Sequence, residues 1–105
     1  MICVYSIRCL NKEIKKIYIG STKSLKMREK EHRNCCNRKV NKRLYNFINN
    51  NGGWTNWEII VEIELKEYNK HELKELEQIY INLLEPKLNV NLEVNKIPKW
   101  SFFRV

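Results

Sequence analysis

Ile17-Tyr18-Ile19-Gly20-Ser21-Thr22 is the run on which the reading of this chain turns. It is rich in β-branched and aromatic residues, so residues 16–21 read as a strand. Upstream, Ile2-Cys3-Val4-Tyr5-Ser6-Ile7-Arg8-Cys9 has the same character and reads as a second strand over 2–9. Asn11-Lys12-Glu13 supplies a polar connection between them. The pair therefore predicts a hairpin whose loop is longer than the tightest type.

Downstream, Ser24 is placed to cap a helix running to about Arg33, on which Leu25, Arg28 and His32 share one face. A second helix is predicted over 39–50, with Val40, Leu44, Phe47 and Ile48 at helical spacing and Asn49-Asn50-Asn51-Gly52-Gly53 ending it. Residues 57–65 largely alternate apolar and acidic, the pattern of a half-buried strand. Asn69 or Lys70 opens the last helix, which carries Leu73, Leu76, Tyr80, Leu83 and Leu84 as its buried stripe and stops before Pro86. The expected fold class is α/β (α+β): a small central three-stranded antiparallel sheet flanked by helices, over residues 1–91. Residues 92–105, with Trp100, Phe102 and Phe103, carry enough apolar surface to pack on the same domain as an extension.

At 105 residues the chain fits one domain with one modest core. Its formal charge is +8, and that charge is unevenly spread. Residues 1–43 hold thirteen Lys and Arg against three Glu, whereas residues 44–91 hold four Lys against eight Glu. A basic first half suggests a polyanionic partner. Its exposed cations Lys16, Lys23, Lys26, Arg33, Arg38, Lys39, Lys42 and Arg43 are the candidate nucleic-acid contacts. The competing explanation is a solvated face that only keeps the protein in solution.

The chain contains no Asp, so a carboxylate offered to a metal must come from Glu. Clustered acids for a two-metal centre are hard to build under that restriction. The four cysteines do not fall into paired metal-knuckle spacings, and adjacent Cys35 and Cys36 suit tetrahedral zinc poorly. Arg8 interrupts the N-terminus too early for a signal peptide, and no run reaches transmembrane length. An intracellular, reducing compartment is the expected setting.

Several residues have chemistry suited to phosphodiester cleavage. At about 100° per residue, Glu77 falls at the edge of the last helix's apolar stripe. A carboxylate there either reaches water or serves as the single protein ligand of Mg²⁺, which keeps several waters. The guanidinium of Arg28 can hold phosphate oxygens, and His32, one turn on, can contact phosphate or move a proton. Tyr5 and Tyr18 are ordinary strand aromatics unless their hydroxyls are activated by nearby cations, for which Arg28, Lys16 and a bound metal are candidates. Asn89 can cap a turn or orient a neighbour.

Taken together, Val4-Tyr5-Ser6-Ile7, Ile17-Tyr18-Ile19-Gly20-Ser21-Thr22, Leu25, Arg28, His32, Leu76-Glu77-Gln78 and Pro86-Lys87-Leu88-Asn89 resemble the GIY-YIG nuclease family across residues 2–91. The resemblance departs at Cys3 and Val4, where the family name has Gly and Ile. It implies a three-stranded antiparallel sheet flanked by helices, and metal-dependent hydrolysis of DNA using one Mg²⁺ or Mn²⁺ on Glu77. It further implies a motif tyrosine as general base. Tyr5 is favoured for that role with Tyr18 as supporting hydroxyl, and the reverse assignment stays open. Arg28 would bind the scissile phosphate, His32 would assist, and Asn89 would hold the site together.

At this length no separate recognition domain is expected. Specificity for DNA, branched or nicked DNA included, would then need a homodimer, a partner protein or the 92–105 tail. The rival function is a nucleic-acid-binding module with the same fold and little catalysis, and a third is a protein-interaction domain whose charge only solubilises.

Overall fold

The computed structural model describes residues 1–89, so the expected packing of 92–105 lies outside the described residues. Three strands build one antiparallel sheet in the order β2-β1-β3. They are β1 (Ile2–Cys9), β2 (Tyr18–Thr22) and β3 (Trp57–Leu65). The predicted hairpin is present, with Tyr5 opposite Gly20 and Ile7 opposite Tyr18. β3 joins the other side of β1, where the register slips between Val4 and Tyr5. That bulge interrupts the partial alternation read from the sequence of β3, and Ile60 and Ile63 on this edge strand are each 36% exposed.

Alternation along β1 divides the core in two. Cys3, Tyr5, Ile7 and Cys9 point to one face, where they meet Cys36, Leu44, Tyr45, Ile48, Trp57 and Leu88. Val4 points to the other face and joins Ile19, Leu65 and Leu73. Fully burying an isoleucine such as Ile7, Ile19 or Ile48 contributes about 1.5–3 kcal/mol apiece. Cys3 and Cys9 are free thiols used here as small apolar core groups.

Helices α1 (Leu25–Asn37) and α2 (Arg43–Asn50) cover the first face, and α3 (Lys70–Leu84) covers the second. Ser24 caps α1, its hydroxyl accepting the Met27 N–H at 3.4 Å. The helix runs one turn beyond Arg33 because Cys36, four residues after His32, reaches the same core. α2 begins later than predicted. Lys39 adopts φ 57° and Lys42 is extended, so residues 39–42 form a connection and the helix starts at Arg43.

Asn69 caps α3 by accepting the Glu72 N–H at 3.0 Å. Its buried stripe is shorter than expected. Leu73, Leu76, Tyr80 and Ile81 face the sheet, but Leu83 is 70% and Leu84 36% exposed. Both lie in the last turn, past the residues of the helix that pack on the sheet. No helix among the described residues is long and apolar enough to cross a membrane.

Candidate active site

The site is assembled on β1 and β2, from side chains that alternation sends toward α1 and α2. Tyr5 lies on the central strand directly opposite Gly20, and its ring passes over that glycine. A Cβ at Gly20 would stand 2.6 Å from the Tyr5 hydroxyl and 2.9 Å from the Tyr18 ring, so only glycine admits this crossing. The two tyrosine rings lie 6.3 Å apart at a tilt of 46°.

From α1, Arg28 and His32 come to the same point. Arg28 Nε donates to the Tyr5 hydroxyl at 3.3 Å, and His32 Nε2 lies 2.8 Å from that oxygen. His32 was expected as a candidate for phosphate contact, but at 1% exposure it is enclosed. Its Nδ1 lies 3.0 Å from the Tyr45 hydroxyl, and the Trp54 ring stacks on the imidazole at 6.2 Å. Arg28 is half-buried and its Nη1 also donates to Glu31 at 2.8 Å.

Burial governs the electrostatics here. The Tyr5 phenol is pushed well above its ordinary value by desolvation, reinforced by Tyr18, against the opposing pull of Arg28. Tyr18 is raised by burial too, although Arg28 acts to lower it. Arg28 therefore does not by itself make either phenol acidic. Nor does Lys16, whose ammonium lies over the Phe47 ring at 5.2 Å. Desolvation, with the Arg28 charge adding to it, lowers His32 to about 4 and leaves the imidazole neutral at physiological pH. Burial opposes the charge on Arg28, but the hydrogen bonds to Glu31 and Tyr5 outweigh it and raise its pKa.

Glu77 arrives from the opposite side of the sheet. Ser21 alternates with Gly20 and so faces α3, where its hydroxyl donates to Glu77 Oε1. Lys74 Nζ is 3.8 Å from that same oxygen. Glu77 keeps 20% of its side chain exposed, and its charge acts on Tyr18 across the β2 strand. β2 is an edge strand of the sheet, and it carries Tyr18, on which the Arg28 and Glu77 charges both act.

Asn89 closes that edge. Its side-chain amide accepts from the Ile19 N–H and donates to the Ile19 carbonyl, each at 2.7 Å, and the Leu88 N–H bonds Ile17 O beside it. A cleft of about 140 Å³ opens between these parts, lined by Tyr18, Arg28, Lys42, Leu44, Tyr45, Leu88 and Asn89. Tyr5, Tyr18, Arg28, His32 and Asn89 are thus brought together, whereas Glu77 does not line the cleft and is linked to it through its charge on Tyr18. Of the basic residues, Lys42 lines the cleft, while Lys16, Lys23, Lys26, Arg33, Arg38, Lys39 and Arg43 lie exposed around the domain.

Sequence reasoning missed Tyr45, Ser21 and Trp54 as parts of this arrangement. Tyr45 had a legible signal, since it shares a helical face with Ile48 at i+3. Trp54 had none, because its short 3₁₀ turn, Trp54–Asn56, follows two glycines in a stretch with no periodicity.

Among the described residues no three His, Cys or Glu side chains gather as a metal cluster. A single-carboxylate site nevertheless fits Glu77. Ser21 and Lys74 both occupy Oε1, so Oε2 takes no hydrogen bond from the described residues. Mg²⁺ needs only one or two carboxylates when water and substrate phosphate complete its shell.

The family model for the GIY-YIG catalytic domain matches residues 1–89. Among solved structures, the catalytic domain of the homing endonuclease I-TevI is similar, with a TM-score of 0.71 at 25% identity over 85% of this chain and 94% of that one. A mutant form of the same domain, described as from an intron endonuclease, gives 0.69 at 26% identity over 84% and 88%. No curated protein sequence matches the chain.

Proposed function

The chain belongs to the GIY-YIG catalytic-domain family, and from that membership we propose that it is an endonuclease hydrolysing DNA phosphodiester bonds at the cleft between β2, α1 and α2. The observation that carries this reading is the bond from Arg28 Nε to the Tyr5 hydroxyl, made beside Tyr18, on which the Glu77 charge acts.

In this mechanism the Arg28 guanidinium binds the scissile phosphate and offsets the charge that develops there. Glu77 would hold Mg²⁺ or Mn²⁺, which supplies Lewis-acid neutralisation of the phosphate oxygens. Tyr5 acts as general base. Because its phenol is raised, it relays a proton and does not start as a phenolate. Its oxygen takes the proton of the attacking water as its own proton passes to His32 Nε2, 2.8 Å away. The water oxygen bonds phosphorus, the P–O bond to the leaving sugar oxygen breaks, and that oxygen takes a proton from solvent. Tyr18, at the cleft wall, orients the water or phosphate, and Asn89 fixes the β2 rim behind it.

The reverse tyrosine assignment has an observation of its own, since Tyr5 is 0% exposed whereas Tyr18 lines the cleft. Tyr5→Phe and Tyr18→Phe separate the two: the base is the residue whose loss abolishes cleavage and flattens the pH profile. Lys42 at the cleft and the exposed Lys23 and Lys26 are the cations for phosphate contacts along the DNA, with specificity supplied by a second copy or a partner.

The deciding experiment incubates the protein with duplex, nicked and branched DNA and Mg²⁺ or Mn²⁺, beside a Glu77→Ala variant. Cleavage by the wild type alone supports the endonuclease. Binding by both proteins with nicking by neither would leave a nucleic-acid-binding module.

A further inference from the structure

Beneath Tyr5 lies a row of buried polar groups whose far end, Tyr45, has no part in the mechanism so far. The row runs Arg28 Nε, Tyr5 hydroxyl, His32 Nε2 and Nδ1, Tyr45 hydroxyl, with separations of 3.3, 2.8 and 3.0 Å. We infer that Tyr45 is a positioning residue: it holds His32 as the Nδ1–H tautomer, so that Nε2 is left as the acceptor for the Tyr5 hydroxyl proton. The catalytic use of this arrangement rests on the nuclease reading above.

A neutral imidazole has one N–H and one lone pair, and here each ring nitrogen faces a hydroxyl. The heavy atoms alone allow two patterns, and the guanidinium decides between them. Arg28 only donates, so its N–H occupies a lone pair of the Tyr5 oxygen and its charge turns the Tyr5 O–H dipole away. The Tyr5 proton then points at His32 Nε2, which must be unprotonated. The ring's single proton is placed on Nδ1, and the Tyr45 oxygen accepts it. In this order each of these donors meets an acceptor, head to tail from Arg28 to Tyr45. The reverse tautomer would crowd two donors onto the Tyr5 oxygen and turn its own proton away from the imidazole.

Two further observations keep the ring in place. His32 is 1% and Tyr45 7% exposed, so water does not compete for Nδ1. Trp54 stacks on the imidazole with planes 24° apart, which restricts a ring flip that would exchange the two nitrogens. A histidine whose second nitrogen is fixed by a partner presents a defined lone pair to its first, and loss of such a partner costs catalysis without removing a reacting group.

The test reads the tautomer directly. Long-range ¹H–¹⁵N correlation spectra of ¹⁵N-labelled protein at pH 7 are expected to show His32 protonated at Nδ1 in the wild type. In Tyr45→Phe the Nδ1–H signature is expected to give way to Nε2–H or a mixture. On the DNA that the wild type cleaves, this variant should lose about 10- to 100-fold in kcat with KM and DNA affinity unchanged. A wild-type ring protonated at Nε2, or a tautomer unaffected by Tyr45→Phe, would overturn the inference. A wild type that shows Nδ1–H but cleaves no DNA on the panel would instead sink the nuclease reading and leave the tautomer assignment standing.

Discussion

The hydroxyl of Tyr5 occupies the space where a side chain on Gly20 would begin. The two residues face each other across the β1–β2 ladder, and an added Cβ would come within 2.6 Å of that oxygen and 2.7 Å of the ring carbon that bears it. The glycine of the second motif is thereby tied to the tyrosine of the first. Tyr5 is fully buried and held by Arg28 and His32, so its ring has little room to yield.

Gly20→Ala is therefore expected to destabilise the fold by about 1–3 kcal/mol through overpacking. It should also reduce nicking at least tenfold, by moving the Tyr5 oxygen off its partners. Urea denaturation and an initial-rate assay check both. Wild-type stability and rate in the variant would show that the crossing tolerates a methyl group.

Ser21 holds one oxygen of Glu77 and so fixes where the other can point. Ser21→Ala should leave the fold intact, lower the nicking rate roughly tenfold, and raise the Mg²⁺ concentration needed for half-maximal rate. A Mg²⁺ titration of initial rates measures this. An unchanged half-maximal concentration would mean that Ser21 does not orient the carboxylate.

Arg28→Ala should lower kcat by roughly 10²–10³ with a small change in DNA affinity, as expected for a group that acts on developing charge. Lys39→Ala, at an exposed position on the α1–α2 connection, should weaken affinity modestly and leave kcat unchanged. Anisotropy and single-turnover rates on the same DNA separate the two. Equal losses of binding in both variants would remove the case for Arg28 at the transition state.

His32 gives the fold a pH dependence of predictable sign. Its folded pKa of about 4 lies below the ordinary 6.5, so the unfolded chain binds the proton more readily. The resulting stabilisation is complete above pH 6.5 and is lost as pH falls toward 4, amounting to roughly 3 kcal/mol. Urea midpoints at pH 7.5 and 4.5 should differ more for the wild type than for His32→Gln, which cannot take up the proton. Parallel losses in the two proteins would refute this contribution.

Much of this architecture could be read from local patterns. The two tyrosine-bearing strands, the Ser24 and Asn69 caps and the span of β3 all follow from residue type and spacing, and the structure reproduces them. Where local pattern failed, a tertiary cause intervened. Leu83 and Leu84 look like core by helical spacing, but they stand past the part of α3 that packs on the sheet and stay exposed. Lys39 and Lys42 look helical until the backbone must turn between α1 and α2. Arg28 and Glu77 could be named as site residues, yet that both charges act on Tyr18 from opposite faces of the sheet is a tertiary fact. The burial of His32 between two phenols was illegible for the same reason, because Tyr45 reaches it from a separate helix.

The pair of hydrogen bonds between Asn89 and Ile19 has a consequence beyond the cleft. A carboxamide that gives to and takes from one residue's peptide groups behaves as a single rung of a fourth strand. It blunts the sheet's open margin beside the cleft, where unpaired backbone would otherwise serve as a template for another chain. Strand-to-strand pairing with another chain is thereby disfavoured at that one position of the edge.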